Sequence, residues 1–434
     1  MMIYVTPAEG VSVPGGITIP GNVPFAHDYG SVFQAMLNRI KTTPDDFARA
    51  HGLHPKDVAG VIAETATPWP NLLRAIEKSS PLSVRELIDP RYQHRVPVFD
   101  DSVNGVVVCH ADESASKTRV YHRGGVDAPQ VQYYTYFHTA VQKKSPLIPE
   151  RIVEHYEWDP TDPNLPDEYF NNGHRERQMT VVVGDVNYHW IDGQGKKHII
   201  AARTGDANAI SPFTRHSFTV PPGKEGYILA VTDLGAIGND CFRALAHAVA
   251  SKHGALAHVD ADEKNEYLAL MRQVMPVDPA SSFDALGGFM FRKYGDVPEE
   301  THGPYVRKRL MDETTFHPTF STFELGLRDD LGLLLDAPRH IWGYNHGKTP
   351  VILFWNHERN DAVIEPGASF SIQKHTPYRI TNEDDLEGKV LIMESNPAVE
   401  NPFEQLALVY KFRGEEGLLR AASESELWFK EAAK

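Results

Sequence analysis

The chain has 434 residues, 41% of them hydrophobic and 23% charged, which at about 150 residues per domain is enough for two to three domains that bury full cores without staples. Its 32 glycines and 31 prolines recur without a period, which excludes a collagen-like or low-complexity chain and favours a turn-rich, β-heavy globule. A formal charge of −15 repels phosphate backbones in bulk and argues against a sequence-independent partner of nucleic acid or of an anionic membrane.

In chain order, residues 1–25 carry several prolines and glycines with alternating apolar positions and read as an extended arm. Residues 26–95 switch to helical spacing. Phe33, Met36, Leu37 and Ile40 repeat at three and four, and Thr43-Pro44-Asp45-Asp46 supplies a cap, an N1 proline and an acidic first turn. Pro55 to Ile62 completes a helix-turn-helix-like pattern, yet residues 26–90 hold seven Lys/Arg against eight Asp/Glu, a net of −1. The basic face that phosphate contacts require is missing.

Residues 96–238 break into short β-branched and aromatic runs: Gly105 to Cys109, Val131 to Phe137, Met179 to Val183, His198 to Ala202 and Tyr227 to Val231. They predict an antiparallel barrel or sandwich. Helical spacing returns at 241–252 and 264–274 within a segment 239–320, of which 275–320 resists assignment. Residues 321–434 form a second strand-rich block, with Val351 to Trp355, Ser369 to Ile372 and Val390 to Met393, before a charged C-terminal helix. The order helical, β, helical, β suggests a duplication with two β-barrels.

Neither Cys109 nor Cys241 sits in a CxxC pair, the N-terminus lacks a basic region followed by an apolar stretch, and no apolar run approaches the ~20 residues of a membrane helix. A cytoplasmic protein is expected. The 21 histidines justify a search for a metal site, imidazole being the commonest ligand. The first block holds Asn171-Asn172-Gly173-His174 followed by Gln178 and Gly184, and later Gly205, Pro212 and His216. Residues four apart on a straight strand share a face but lie about 13 Å apart, too far to reach one ion. The chain must therefore turn at Arg175 to Arg177, bringing Gln178 opposite His174 while His216 arrives from a third strand. The plainer reading makes both histidines hydrogen-bonded barrel residues and Gln178 a surface residue. Glu176 is the alternative third ligand, since a carboxylate holds a divalent cation more tightly than a neutral amide. His138 and His189 are expected to be structural. His346, His357 and His375 in the second block lack the paired spacing, which points to a degenerate barrel.

These residues resemble the two-part metal motif of cupin barrels, and more closely the non-haem iron dioxygenases that convert 2-hydroxyethylphosphonate. The resemblance rests on the helical unit with Lys41, the strand Tyr133 to Thr139, the Asn-Asn-Gly-His motif and His216-Ser217-Phe218. It implies a mainly β, tandem cupin fold, one Fe(II) held by His174, Gln178 and His216, 2-hydroxyethylphosphonate and O2 as substrates, and no 2-oxoglutarate. One branch of the family releases hydroxymethylphosphonate and formate and takes its third ligand from a glutamate six residues before the second histidine. Here that position is Ile210. The other branch, which releases methylphosphonate and carbon dioxide, uses a glutamine four residues after the first histidine, where Gln178 stands. The resemblance further implies that Asn171, Tyr136 and Arg123, with Arg119 as competitor, meet the substrate or the oxygen intermediate. It implies that Lys41 reaches the phosphonate from a neighbouring subunit of a homo-oligomer, a dimer or tetramer; Ile210, being apolar, is expected to limit space and water near the iron. Where some relatives offer a serine hydroxyl, this chain has Ala230, with Thr232 nearby. The competing classes are the hydroxymethylphosphonate-forming reaction and a non-enzymatic cupin regulator whose helical unit binds DNA.

Overall fold

The computed structural model describes residues 11–233 and 289–395, apart from single positions such as 41 and short stretches that include 91–94, 97–101, 126–128, 172–176, 211–213, 312–319, 328–338 and 383–387. The helices expected at 241–252, at 264–274 and at the C-terminus lie outside the described residues.

The N-terminal unit is a hairpin, β1 (Val11–Val13) and β2 (Ile17–Ile19), followed by α1 (Tyr29–Arg39), α2 (Pro44–Ala50), α3 (Pro55–Ile62) and α4 (Pro70–Lys78). The start of α2 is written locally: the Thr43 hydroxyl accepts from the Asp46 amide at 3.1 Å, and Pro44 forgoes a donor that would have had no partner there. Val13, Ile19, Val23 and Phe25 share one core with Phe33, Met36, Leu37, Leu72 and Ile76. The expected extended arm is thus a hairpin that completes the helical core of its own chain. A buried ion pair, Lys143 Nζ to Glu77 Oε2 at 2.7 Å, ties this unit to the strands that follow.

Those strands are β3 (Val106–Cys109), then, after the short helix α5 (Ala111–Ser116), β4 (Arg119–Arg123), β5 (Val131–Phe137), β6 (Leu147–Glu154), β7 (Arg177–Ile191), β8 (Lys197–Arg203), β9 (Ala207–Ile210), β10 (His216–Thr219) and β11 (Gly226–Asp233). The second set is β12 (Phe289–Arg292), β13 (Glu299–His302), β14 (Tyr305–Met311), β15 (Phe320–Leu327), β16 (Ile341–Asn345), β17 (Val351–Trp355), β18 (Asn360–Ile364), β19 (Ser369–Ile372), β20 (Tyr378–Thr381) and β21 (Lys389–Ser395). One sheet runs β12-β9-β7-β11-β6-β5-β4, with β8 and β10 on the far half of β7; another runs β13-β14-β15-β21-β16-β19-β3 and faces a small sheet β18-β17-β20.

β7 serves both walls of its barrel because it changes partners midway. Up to Gly184 it pairs with β9 and β11, and beyond it with β8 and β10. Gly184 has φ +86°, and a Cβ there would collide with the Glu225 carbonyl, so the bend depends on glycine.

The two barrels have the same pairing pattern, β4 to β11 matching β13 to β21 strand for strand, with β7 standing for both β16 and β17. A duplication accounts for it. One feature departs from the division read in the sequence. β3, placed there in the first barrel, pairs with β19 of the second, and β12, placed in the intervening segment, pairs with β9 of the first. Each barrel would otherwise leave the edge of β9 or β19 with unpaired N–H and C=O groups, and each edge is closed by the strand that precedes the other barrel.

The interiors are separate: Tyr188, Trp190, Ile210 and Phe218 line the first, Leu353, Phe370, Ile372 and Ile392 the second. Between the barrels, Met179, Val181 and Leu229 pack on Trp342, Tyr344 and Met393. Alternation along β7 therefore sends Met179 and Val181 to the joint, and Gln178 and Thr180 into the barrel.

Candidate functional site

The matched registers show where the two barrels differ. Gln178 pairs with Ile210 on β9 and with Thr232 on β11; in the second barrel Ile341 pairs with Ile372 on β19 and with Glu394 on β21. His216 opens β10 opposite Trp190, as Tyr378 opens β20 opposite Trp355. The counterparts of Gln178, Thr180, Asn208 and His216 are thus Ile341, Gly343, Phe370 and Tyr378. Phe370 fills the space over Gly343, where a Cβ would strike its ring. At the matched positions the second interior is largely apolar, with Tyr378 and the half-buried Glu394 its polar groups, whereas the first keeps a buried polar wall.

His216 is 2% exposed and held from several sides. Its Nδ1 donates to the Thr214 carbonyl at 2.8 Å, which makes Nε2 the lone-pair nitrogen; in the structure the Asn171 amide donates to that lone pair at 2.9 Å. This is the tautomer that ligation through Nε2 requires. The Asn171 Oδ1 also accepts from the His216 amide at 2.9 Å, so Asn171, expected beside the substrate, holds backbone and ring together. On the next residue, the Ser217 hydroxyl donates to the Tyr169 carbonyl at 2.7 Å and faces the Tyr133 and Tyr134 hydroxyls at 2.9 and 3.1 Å. Two tyrosines of β5 thereby fix the start of β10.

Gln178 is 4% exposed, which removes the reading of it as a surface residue. Its amide nitrogen donates to Thr180 Oγ1 at 3.1 Å, so its oxygen is the atom it can offer an ion. Imidazole Nε2 and an amide oxygen are donor types that such an ion accepts, so the donor chemistry of these two side chains fits a metal. Ile210, fully buried, is the direct cross-strand neighbour of Gln178. Ala230 lies opposite Thr180 on β11 and brings no hydroxyl, while the Thr232 hydroxyl is given to the Ile148 carbonyl at 3.3 Å.

Arg123 is half-buried, its guanidinium 5.3 to 5.6 Å from the ring centres of Tyr134, Tyr121 and Tyr133, and its Nε is buried with no hydrogen-bond partner. No carboxylate pairs with it among the described residues. Arg119 has Glu150 at 3.9 Å and lies over the Tyr136 ring. Burial, reinforced by Glu150, holds the Tyr136 phenol well above its ordinary pKa, so it keeps its proton at neutral pH.

Sequence reasoning missed Tyr188 and Glu154. Tyr188 lies nearly parallel to the His216 ring, 6.3 Å between centres, with its hydroxyl in electrostatic range of Thr180, Glu154 and Gln178. The inward positions of β7 could have been counted from Gln178 had the shift at Gly184 been known. Glu154, on β6, is 4% exposed and neither carboxylate oxygen has a hydrogen-bond partner. Burial pushes its pKa well above the ordinary 4.5, so the folded chain keeps the proton that the unfolded chain releases above that value. The folded state then binds more protons, and stability is lost as pH rises past about 4.5. Glu154→Gln is expected to raise stability at pH 7, where the unfolded carboxyl is ionised, and to change it little at pH 4. Denaturant midpoints at the two pH values check this, and equal shifts at both would refute it.

His174, Glu176 and Lys41 lie outside the described residues. His189 is structural: buried, 2.9 Å from Thr219 Oγ1, its pKa pushed down to about 3 by burial. In the second barrel His346 pairs with Glu324 at 3.0 Å, while His357 and His375 sit exposed in turns. No helix among the described residues is long and apolar enough to cross a membrane.

No family model matches the chain. Methylphosphonate synthase of Nitrosopumilus maritimus (strain SCM1) is 26% identical over 92% of this chain and 95% of its own length. Among solved structures, the 2-hydroxyethylphosphonate dioxygenase of Streptomyces albus, with 2-hydroxyethylphosphonate and Fe(II) bound, is similar with a TM-score of 0.54 and 21% identity, covering 91% of this chain and 97% of that one. The fold is accordingly mainly β, two cupin barrels in tandem, and the chain resembles methylphosphonate synthase along nearly all its length.

Proposed function

We propose, from that likeness and from the polar first barrel, that the chain is an enzyme, a non-haem iron(II) oxygenase that cleaves the carbon–carbon bond of 2-hydroxyethylphosphonate with O2 and releases methylphosphonate and carbon dioxide. The observation that carries the choice of product is the pairing of Gln178 with Ile210. The two branches of the family differ in which position supplies the third ligand, and here those positions are cross-strand neighbours on one interior face. A ligand lost from β9 is offered instead from β7, about 5 Å away and at the same height. Gln178, His216 and, from the resemblance, His174 would hold the metal, which when bound supplies a Lewis acid and a centre for O2 chemistry.

The remaining work falls to the chain. Arg123, lacking an acidic partner among the described residues and backed by tyrosine rings, meets the phosphonate charge that an acidic protein must neutralise locally. Asn171 gives up the His216 lone pair when an ion takes it, and its amide turns to the substrate oxygens. Tyr136 holds its proton and donates. Ile210 keeps a carboxylate and water away from the reacting fragment. Lys41 adds a second cation, from a neighbouring subunit of a homo-oligomer.

Anaerobic loading with Fe(II), followed by O2 and phosphorus NMR of the product, tests the reading: methylphosphonate is expected. Hydroxymethylphosphonate would assign the sister reaction, and no turnover would leave a binding protein. Arg123→Gln is expected to lower kcat/KM by about 10- to 100-fold, the loss of a charge-assisted contact. Arg119→Gln, whose guanidinium already has Glu150, is expected to cost less than threefold, and the reverse order would exchange their roles.

A further inference from the structure

Outside the first barrel interior, one cluster brings three different donor types together. Cys109 Sγ at the end of β3, a Glu113 carboxylate oxygen in α5 and a ring nitrogen of His138, just past β5, all lie within 4.8 Å of one another. The three positions belong to different parts of the molecule. β3 is paired with β19 of the second barrel, through Cys109 and Ser369, whereas β5 is paired with β4 and β6 of the first. α5 connects them. We propose that this cluster is a structural metal site, separate from the iron site and independent of the reaction assigned to it, which takes a thiophilic divalent cation of the zinc class.

The donor set selects the ion. Thiolate, imidazole and carboxylate are the ligands zinc accepts, at about 2.0 to 2.3 Å, and hard cations such as magnesium or calcium do not take sulfur. Donors on such an ion are about 3.5 Å apart, so the cluster must contract by about 1 Å, within the reach of side-chain rotation. One thiolate and one carboxylate balance a charge of +2, and the thiol proton passes to solvent on binding.

The surroundings fit as well. Cys109 is 2% exposed while Glu113 and His138 are half-buried, so the ion would have a sealed side and an open side, the latter for a water as fourth ligand. The His138 backbone is anchored: its carbonyl accepts from the Ser114 hydroxyl at 2.6 Å and lies 3.9 Å from Cys109 Sγ. Lys117 Nζ holds one Glu113 oxygen at 2.6 Å, an exposed ion pair of small worth that leaves the second oxygen for the ion. An ion bound here clasps the junction of the two barrels and secures α5, the segment that leads into the strand carrying Arg119 and Arg123.

The test is cobalt(II) added to the full-length, metal-stripped protein. The expected result is a sulfur-to-cobalt charge-transfer band that persists in His216→Ala, where it saturates at one equivalent and is erased by one equivalent of zinc, and that disappears in Cys109→Ser. Cys241, the other cysteine of the chain, remains in Cys109→Ser, so loss of the band assigns the sulfur. No band in the folded wild type, or a band that survives Cys109→Ser, overturns the proposal. Should Cys109→Ser not fold, His138→Gln keeps the sulfur and is expected to weaken cobalt binding at least tenfold; unchanged affinity there overturns it too.

Discussion

His216→Ala is expected to take bound iron from one equivalent to near zero and to lower turnover of 2-hydroxyethylphosphonate by at least about a thousandfold, since every step that needs the ion is lost with it. The ring is committed in a way that a merely structural histidine is not. Its Nδ1 is spent on the Thr214 carbonyl and its Nε2 lone pair faces Asn171, a neutral amide that an incoming ion can displace. His189 is the internal control. It is equally buried in the same strand system, yet its bond to Thr219 and its low pKa describe a ring held neutral for packing. His189→Gln is expected to keep iron and turnover within a few-fold while costing stability. Iron retained at full stoichiometry in a folded His216→Ala protein would remove the metal assignment from this barrel.

The double variant Ile210→Glu with Gln178→Ile is expected to change the major product from methylphosphonate to hydroxymethylphosphonate, read as the ratio of two phosphorus resonances. The exchange carries the third ligand back across one strand spacing and replaces a neutral oxygen donor by a carboxylate. Both positions are buried, so a carboxylate at 210 is costly unless a cation meets it, and the bound ion would be that cation. The variant should therefore be less stable than wild type without iron and recover when Fe(II) is added, a dependence that a change in mere cavity shape does not produce. An unchanged product ratio in the folded, iron-loaded variant would show that these two positions do not set the outcome.

The helical unit and most strands are local matters, and they were legible. The Thr43-Pro44-Asp45-Asp46 start of α2 and the β-branched and aromatic runs of β5 and β17 are physical instructions contained within a few residues. The duplication was legible for the same reason, as a repeated order of such segments. Partner choice was not. That β3 closes the second barrel and β12 the first depends on which edge is left open once two barrels pack together through Trp342 and Met179, and no short window encodes it.

The site divides along the same line. Gln178 and His216 could be singled out from spacing as candidate donors, because a metal motif is a pattern of donor types along the chain. The bond from Asn171 to the His216 ring, the Arg123 guanidinium set among tyrosines with no carboxylate partner among the described residues, the buried acid Glu154 and the meeting of Cys109, Glu113 and His138 could not. Residue order determined which chemical groups this protein possesses and which segments become strands and helices. Tertiary structure decided which of those groups face one another and which lose their water, because hydrogen bonding, burial and charge act through distances between parts of the chain that sequence separation does not measure.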